Sequence, residues 1–353
     1  MLKWLLVFVP VAIALEYLAP QRHLLIFVAT AIAILPLAGW LGRATEQLAD
    51  RSGEGVGGLL NATFGNAAEL IIALAALRAG LHDVVKATIV GSIVGNILLV
   101  LGAAMLAGGL RYQEQRFNES AARAQATMLT LAAIALITPA AYGALVGELH
   151  PGGEMVLSVS ISLILLFVYA MFLLFALWTH SDLFLGTDVL EDDKHSDPWP
   201  LGKSIAVLTG STAAIAWLSE ILVGAIEPSA RELGLSNMFV GVFIVAILGN
   251  AAEHATAITA AMKNRMDLSL SIAIGSSVQV ALFVAPLLVL ASLVLGPQPM
   301  DLLFGKGLVL AVLLAVLITG QVAGDGRSNW LKGTQLLAVY LILGLAFFLI
   351  PQV

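Results

Sequence analysis

Two glutamates set inside apolar runs, Glu69 and Glu253, each close a copy of the pentapeptide Gly-Asn-Ala-Ala-Glu, 65–69 and 249–253, at an offset of 184 positions (249 − 65). At the same offset Asp83 falls on Asp267 and Gly91-Ser92 on Gly275-Ser276, and ten of the 28 positions so aligned are identical. A carboxylate in the middle of a bilayer costs about 3 kcal/mol or more, so it is rarely present without a partner or an ion pathway. One such glutamate can be a protonated contact between helices. Two in equivalent positions, each preceded by the same glycine and amide, point to a shared task.

That task is cation binding. Gly57, Gly58, Gly65, Gly241 and Gly249 are poor helix formers and permit local unwinding, which frees backbone carbonyls that must then be satisfied by something else. Together with the side-chain oxygens of Asn66, Asn250, Ser92, Ser276 and Gln279 they make a hard, all-oxygen environment. Such a set suits Ca²⁺, which takes six to eight oxygens in a flexible cage, better than Mg²⁺. Soft transition metals would want cysteine or clustered histidine. The same carboxylates supply coupling: with the cation gone, two like charges in low dielectric cannot both stay ionised, and protons take its place. Asn96 and Gln279 are buried amides suited to the site or its gate. His254 follows Glu253 directly, so it points about 100° away around the helix, as a hydrogen-bonding or proton-relay residue. Glu220 is a further carboxylate with apolar flanks.

The elements that must position these residues are membrane spans. The chain has 353 residues, 59% of them hydrophobic and 11% charged, with a mean hydropathy of +0.97 and no cysteine. This excludes a water-soluble globular domain, disulfides and thiolate metal sites. Apolar stretches of about 20 residues predict eleven transmembrane helices, near 2–18, 23–42, 55–78, 84–109, 121–143, 154–179, 203–226, 236–262, 268–296, 302–323 and 329–350. Of the 17 Lys and Arg, twelve fall on the side of the N-terminus and five on the other, which places the N-terminus and the acidic stretch 181–202 in the cytoplasm and the C-terminus outside. The copies occupy spans three and four and spans eight and nine, five spans apart, so they cross in opposite senses. The expected architecture is therefore an all-α polytopic membrane protein: an additional N-terminal helix (1–20), a five-helix repeat (21–180), an acidic cytoplasmic linker (181–202) and a second, inverted five-helix repeat (203–353). Inverted repeats meeting at broken helices are the construction of secondary transporters.

The stretches Gly57-Gly58-Leu59-Leu60-Asn61-Ala62-Thr63-Phe64-Gly65-Asn66-Ala67-Ala68-Glu69-Leu70 and Gly249-Asn250-Ala251-Ala252-Glu253-His254 resemble the paired signature repeats of the cation/proton exchanger family, the Ca²⁺/H⁺ antiporters of the calcium/cation antiporter superfamily. Gly91-Ser92-Ile93-Val94-Gly95-Asn96 and Gly275-Ser276-Ser277-Val278-Gln279 resemble the segments that follow those repeats. The resemblance implies that Glu69 and Glu253 bind cation and proton in turn, with Asn66 and Asn250 as supporting ligands. Ser92, Asn96, Ser276 and Gln279 then support them or serve in the alternate state. It also implies alternating access.

The function expected is thus a secondary antiporter that exchanges cytoplasmic Ca²⁺ for protons, in a prokaryotic inner membrane, with Ca²⁺ as substrate and no cofactor. Its partners are Ca²⁺, H⁺ and the bilayer, without nucleic acid; self-association into a homo-oligomer is left open. The alternative keeps the fold and changes the ions to Na⁺/Ca²⁺ or Na⁺(K⁺)/H⁺ exchange, but the Ala-Ala that follows each asparagine offers no extra sodium ligands and favours protons. An intramembrane enzyme is not expected, since H-E-x-x-H is absent and no serine–histidine pair stands out. The acidic stretch lacks the spacing of an EF-hand loop and reads as a solvated linker or a regulatory segment.

Overall fold

Apolar segments that leave water must close their backbone hydrogen bonds internally, and this chain does so as a succession of helices. A computed structural model describes residues 3–146, 152–181 and 199–350. Glu148 and the linker acids Asp182, Asp188, Glu191, Asp192, Asp193 and Asp197 lie outside the described residues, and with them any regulatory role of that stretch.

In chain order the helices are α1 (Phe8–Leu18), preceded by a 3₁₀ turn, Lys3–Val7; α2 (His23–Ser52); α3 (Glu54–Phe64); α4 (Ala67–Arg78); α5 (His82–Arg111); α6 (Glu119–Val146); and α7 (Gly153–Thr179). They continue with α8 (Leu201–Leu233), α9 (Asn237–Ala251), α10 (Glu253–Met262), α11 (Met266–Ser292), α12 (Lys306–Ala323) and α13 (Trp330–Phe348). Among the described residues eight helices are each long and apolar enough to cross a bilayer, and up to ten spans result if the pairs α3–α4 and α9–α10 count as one broken span apiece. The eleventh expected segment, 2–18, is a shorter apolar helix, Trp4–Leu18. Serines and threonines inside these helices return their hydroxyls to the carbonyl one turn back, as Thr45 does to Leu41 (3.0 Å), Thr88 to Val84 (2.9 Å) and Ser219 to Ile215 (2.7 Å). A hydroxyl placed in lipid thereby carries its own acceptor.

The contacts divide the chain into two compact units. The first holds α1 to α4, α5 as far as Thr88, α8, α9 and the end of α13 from Phe347. Its principal packing is α2 against α8. On α8 the buried residues Ser211, Ile215, Leu218, Leu222 and Ile226 recur every three or four positions and form one stripe. The opposing α2 buries Ile26, Ala33, Ile34, Leu37 and Leu41. Because lipid is as apolar as leucine, close packing rather than escape from water holds such a pair together. Two glycines at the repeat offset, Gly57 and Gly241 (241 − 57 = 184), let helices approach each other. A Cβ on Gly57 would come to 2.4 Å from the Ala49 carbonyl oxygen, and one on Gly241 to 2.7 Å from the Ala87 Cβ. For Gly57 this corrects the expectation of unwinding, whereas Gly241 also lies in a π-helical stretch, Val240–Val245, where the helix departs from α geometry.

The second unit holds α5 from Ile89, α6, α7, α10, α11, α12 and α13 as far as Ala346. Of the eight long helices α5 and α11 are the most enclosed, 83% and 72% buried, so neighbouring helices rather than lipid cover them. At the α5–α13 crossing the backbones touch: a Cβ on Gly333 would lie 2.3 Å from the Leu106 nitrogen and 2.6 Å from the Gly102 oxygen. Short strands β1 (Gln115–Arg116) and β2 (Arg327–Ser328) pair antiparallel at the end of these helices. Gln115, 1% exposed, donates to the Ala261 carbonyl (2.8 Å) and to Asn264 Oδ1 (3.0 Å), which satisfies the end of α10. Asn118 caps α6 by accepting from the Ser120 and Ala121 amides. Asp267, in the first turn of α11, accepts from the Asn118 amide (2.6 Å). Its repeat partner Asp83 stands in the first turn of α5. Acids in these first turns complement the helix dipole, which accounts for one identity in the repeat without chemistry at the site. In the turn before β2, burial presses the Asp325 carboxyl toward its neutral form. The Lys332 ammonium at 2.6 Å and the Arg327 amide outweigh this and hold its pKa below the usual range.

The α5–α13 contact predicts a graded response. Gly333→Val forces a side chain against rigid backbone and should lower unfolding stability in detergent by about 1–3 kcal/mol or more. Gly320→Ala on α12, where an added Cβ meets nothing within 4 Å, should be neutral or stabilising by up to about 1 kcal/mol. A melting-temperature series reads both, and equal shifts would contradict the assignment.

Candidate functional site

The first copy of the pentapeptide interrupts its span. α3 ends at Phe64, Gly65-Asn66 turn, and α4 starts at Ala67 with a 41° bend. The Asn66 carbonyl accepts the first bond of α4 from Leu70 (3.0 Å), while its side chain makes no capping bond to the new helix. Glu69 therefore sits in the first turn of α4, where unpaired amides and the helix dipole favour a negative charge. Asn66 and Glu69 are each 4% exposed. Here the expected unwinding is present, at Gly65.

Gly249 has another role. It lies inside a helix, and a Cβ on it would come to 3.1 Å from the Glu69 Cγ. The next residue, Asn250, 3% exposed, donates from Nδ2 to Glu69 Oε1 and, at 3.3 Å, to the Ala246 carbonyl. The glycine of the second copy thus makes room for the glutamate of the first, and the asparagine beside it binds that glutamate. Glu69 is held by its counterpart repeat within one unit. In this second copy Gly249 itself stays helical: a π-helical stretch precedes it at Val240–Val245, and the span bends by 69° just after it, between Ala251 and Glu253.

The second unit carries the remaining predicted residues. Glu253 and His254, both half-buried, open α10. Ser92 and Asn96 lie one turn apart on α5, 2% and 1% exposed, and Ser276 (6% exposed) and Gln279 lie on one face of α11. Asn96 joins them: Nδ2 donates to Ser276 Oγ (3.1 Å), and Oδ1 lies 3.1 Å from His254 Nε2. With its amide nitrogen committed to Ser276, Asn96 offers His254 an acceptor. That places a proton on the imidazole Nε2. His254 thus joins the polar network of α5 and α11. Next to it, Ser277 Oγ reaches the Ile93 carbonyl (3.3 Å).

Sequence reasoning missed two π-helical turns. They run over Gly95–Val100 in α5 and Val280–Val284 in α11 and are closed by the bonds Leu101 N–H to Asn96 O and Ala285 N–H to Val280 O. The accepting residues are 184 positions apart (280 − 96), so both repeats widen their helix at the same point, beside Asn96 and Gln279. Such turns cluster at functional sites. No residue type announces one; only the symmetry of the repeat could have directed attention there. Glu220 is not isolated either, since Oε1 accepts from Arg78 Nη1 at 3.0 Å. Among the described residues no three acidic, histidine or cysteine side chains gather as a metal-ligating cluster.

A family model described as sodium/calcium exchanger protein matches the chain twice, over residues 22–178 and 203–349. The Ca(2+)/H(+) antiporter of Aphanothece halophytica is 46% identical over 364 residues, 99% of this chain and 96% of that protein. Ca(2+)/H(+) antiporter ChaA of Bacillus subtilis is 42% identical over 327 residues, 92% of each. The solved structure of native YfkE superposes with a TM-score of 0.82 at 37% identity, over 98% of this chain and 100% of that one. The crystal structure of the H+/Ca2+ exchanger CAX shares the fold, with a TM-score of 0.74 at 15% identity over 98% of this chain and 90% of the other. The chain belongs to the sodium/calcium exchanger family, among its cation/proton exchangers.

Proposed function

We propose that the chain is a Ca²⁺/H⁺ antiporter in which Ca²⁺ and protons compete for Glu69 and Glu253. The observation that carries this reading is the bond from Asn250 to Glu69: a carboxylate 4% exposed is held by the amide that the other repeat supplies at the equivalent motif. A fixed neutral donor on one oxygen orients the carboxylate without neutralising it, so its charge remains for a cation or a proton. With these two carboxylates, and no cluster of three acidic side chains among the described residues, Ca²⁺ takes its remaining oxygens from Asn66, backbone carbonyls and hydroxyls. Ser92, Asn96, Ser276, Gln279 and His254 form the polar surroundings that keep the site's hydrogen bonds satisfied as its charge changes. The names of the relatives, Ca(2+)/H(+) antiporter, support the same pair of ions.

Two inverted five-helix repeats and an additional first helix, with a cytoplasmic N-terminus, follow from the sequence offset and the distribution of Lys and Arg. The double match of one family model supports the duplication. Alternating access is the transport cycle such repeats provide. Sodium coupling is the second reading, favoured by the family's description, and an imposed pH gradient without Na⁺ separates the two. Ca²⁺ uptake into inverted membrane vesicles under that gradient supports proton exchange, whereas a requirement for Na⁺ overturns it.

Three outcomes follow from the site. Glu69→Gln and Glu253→Gln should each reduce proton-driven Ca²⁺ uptake to background. Asn250→Leu removes a hydrogen bond to a charged group and should weaken half-saturation by Ca²⁺ by roughly ten- to a hundredfold, since such bonds are worth about 1.5–3 kcal/mol. The half-saturating Ca²⁺ concentration should rise as pH falls below the carboxylates' pKa values, by about tenfold per pH unit for one competing proton and about a hundredfold for two. Initial-rate measurements over a pH series read that slope, and a flat profile would remove protons from the site.

A further inference from the structure

α4 runs from Glu69 in its first turn to Arg78 at its end, nine residues on (78 − 69), or ~13.5 Å along the axis. At that end a cavity of about 520 Å³ opens beside α8, lined among others by Ala75, Arg78, Glu220, Gly224 and Pro228. One ion pair crosses it, Arg78 Nη1 to Glu220 Oε1 at 3.0 Å, and its two side chains are 65% and 59% exposed. A pair so open to solvent adds little to stability and breaks readily. It is also an ion pair between α4 and α8, whereas the other acid of the lining, Glu227, pairs with Arg231 of its own helix at 3.7 Å.

The α8 side is built to bend. Glu220, Gly224 and Pro228 recur at four-residue intervals and so occupy one face of the helix, the face that lines the cavity. Pro228 has no N–H, so the Gly224 carbonyl loses its usual donor one turn on, and the helix is softened between them. Gly224 has open space around it: an added Cβ would meet nothing within 4 Å. On both sides of this point α8 is anchored by buried residues, Ile215, Leu218 and Leu222 before it and Ile226, Ser229 and Ala230 after it, so the softening is confined to the turn that lines the cavity. A breakable latch, an open glycine and a proline hinge therefore follow one another along a single stripe beside the helix that carries Glu69.

We infer that Arg78 and Glu220 are gating residues. Their ion pair latches α8 to the end of α4, and when the pair parts the cavity widens beside the helix that carries Glu69. Arg78 leaves Glu220 as a divalent cation passes, because the cation satisfies the carboxylate in its place. Opening thereby depends on an ion being present. The inference rests on the exchange reading for what passes, but the latch can be tested apart from it.

The chain has no cysteine, so Arg78→Cys/Glu220→Cys presents the only thiol pair in the full-length protein. Bridging the pair with a short, cleavable bifunctional thiosulfonate should remove at least about nine-tenths of Ca²⁺ flux (a tenfold loss is about 1.4 kcal/mol), and reduction should restore it. Arg78→Glu and Glu220→Arg alone should each slow flux, and the double exchange Arg78→Glu/Glu220→Arg should recover most of it. Should wild-type vesicles show no proton-driven Ca²⁺ flux, the exchange reading falls, and labelling still decides the latch. For that measurement Val223→Cys, in the cavity lining, is treated with a membrane-impermeant thiol reagent. Labelling should occur from one side of the membrane only and be several-fold faster when Arg78→Ala is added. Full flux in the bridged protein, or a labelling rate indifferent to Arg78→Ala, would overturn the proposal.

Discussion

The structure depends on a carboxylate that cannot be left alone. Glu69 is almost without solvent, in a segment whose surroundings offer no water to solvate a charge. Its neighbourhood answers that constraint piece by piece. The chain turns at Gly65-Asn66 so that Glu69 falls in the first turn of α4, where the helix dipole favours its charge. Gly249 withdraws its side chain to admit the glutamate, and Asn250 supplies a donor. None of these groups is a fixed cation. A carboxylate met by an arginine would be a closed ion pair; one met by an amide is oriented without a counter-charge.

The same economy governs the rest of the fold. Hydroxyls in the helices bond the preceding turn, Gln115 satisfies the end of α10, Gly57 and Gly333 allow backbones to touch where a methyl group would not fit, and Gly241 makes room for the Ala87 methyl. The polar chain Ser276–Asn96–His254 satisfies three buried or half-buried groups with one asparagine. It also distinguishes the repeats, because the position equivalent to His254 is Leu70. A duplicated sequence has in this way produced two unequal environments around two equal glutamates.

Much of this was legible in the sequence, and what was not has a physical reason. Hydropathy located the long helices because burial in lipid leaves a signal of about 20 apolar residues. The gapless offset singled out Glu69, Asn66, Asn250 and Glu253. The glycines were misjudged, since a glycine that breaks a helix, such as Gly65, and one that admits a neighbour, such as Gly249, are the same letter and differ only in what lies opposite. The π turns at Gly95–Val100 and Val280–Val284 are a shift of one hydrogen bond and have no composition of their own. Glu220 read as an isolated acid because its partner, Arg78, is 142 positions away in sequence and close only in the fold. The first apolar segment forms a shorter apolar helix among the described residues, Trp4–Leu18.

The central claim is that Ca²⁺ and protons occupy the same two carboxylates, and proton counting tests it most directly. Ca²⁺ is titrated calorimetrically into the purified protein in several buffers of different ionisation enthalpy, at a pH where the empty site is protonated. The account predicts release of about two protons per Ca²⁺ bound in the wild type and about one in Glu69→Gln. Ca²⁺ binding that releases no protons at any pH would contradict it.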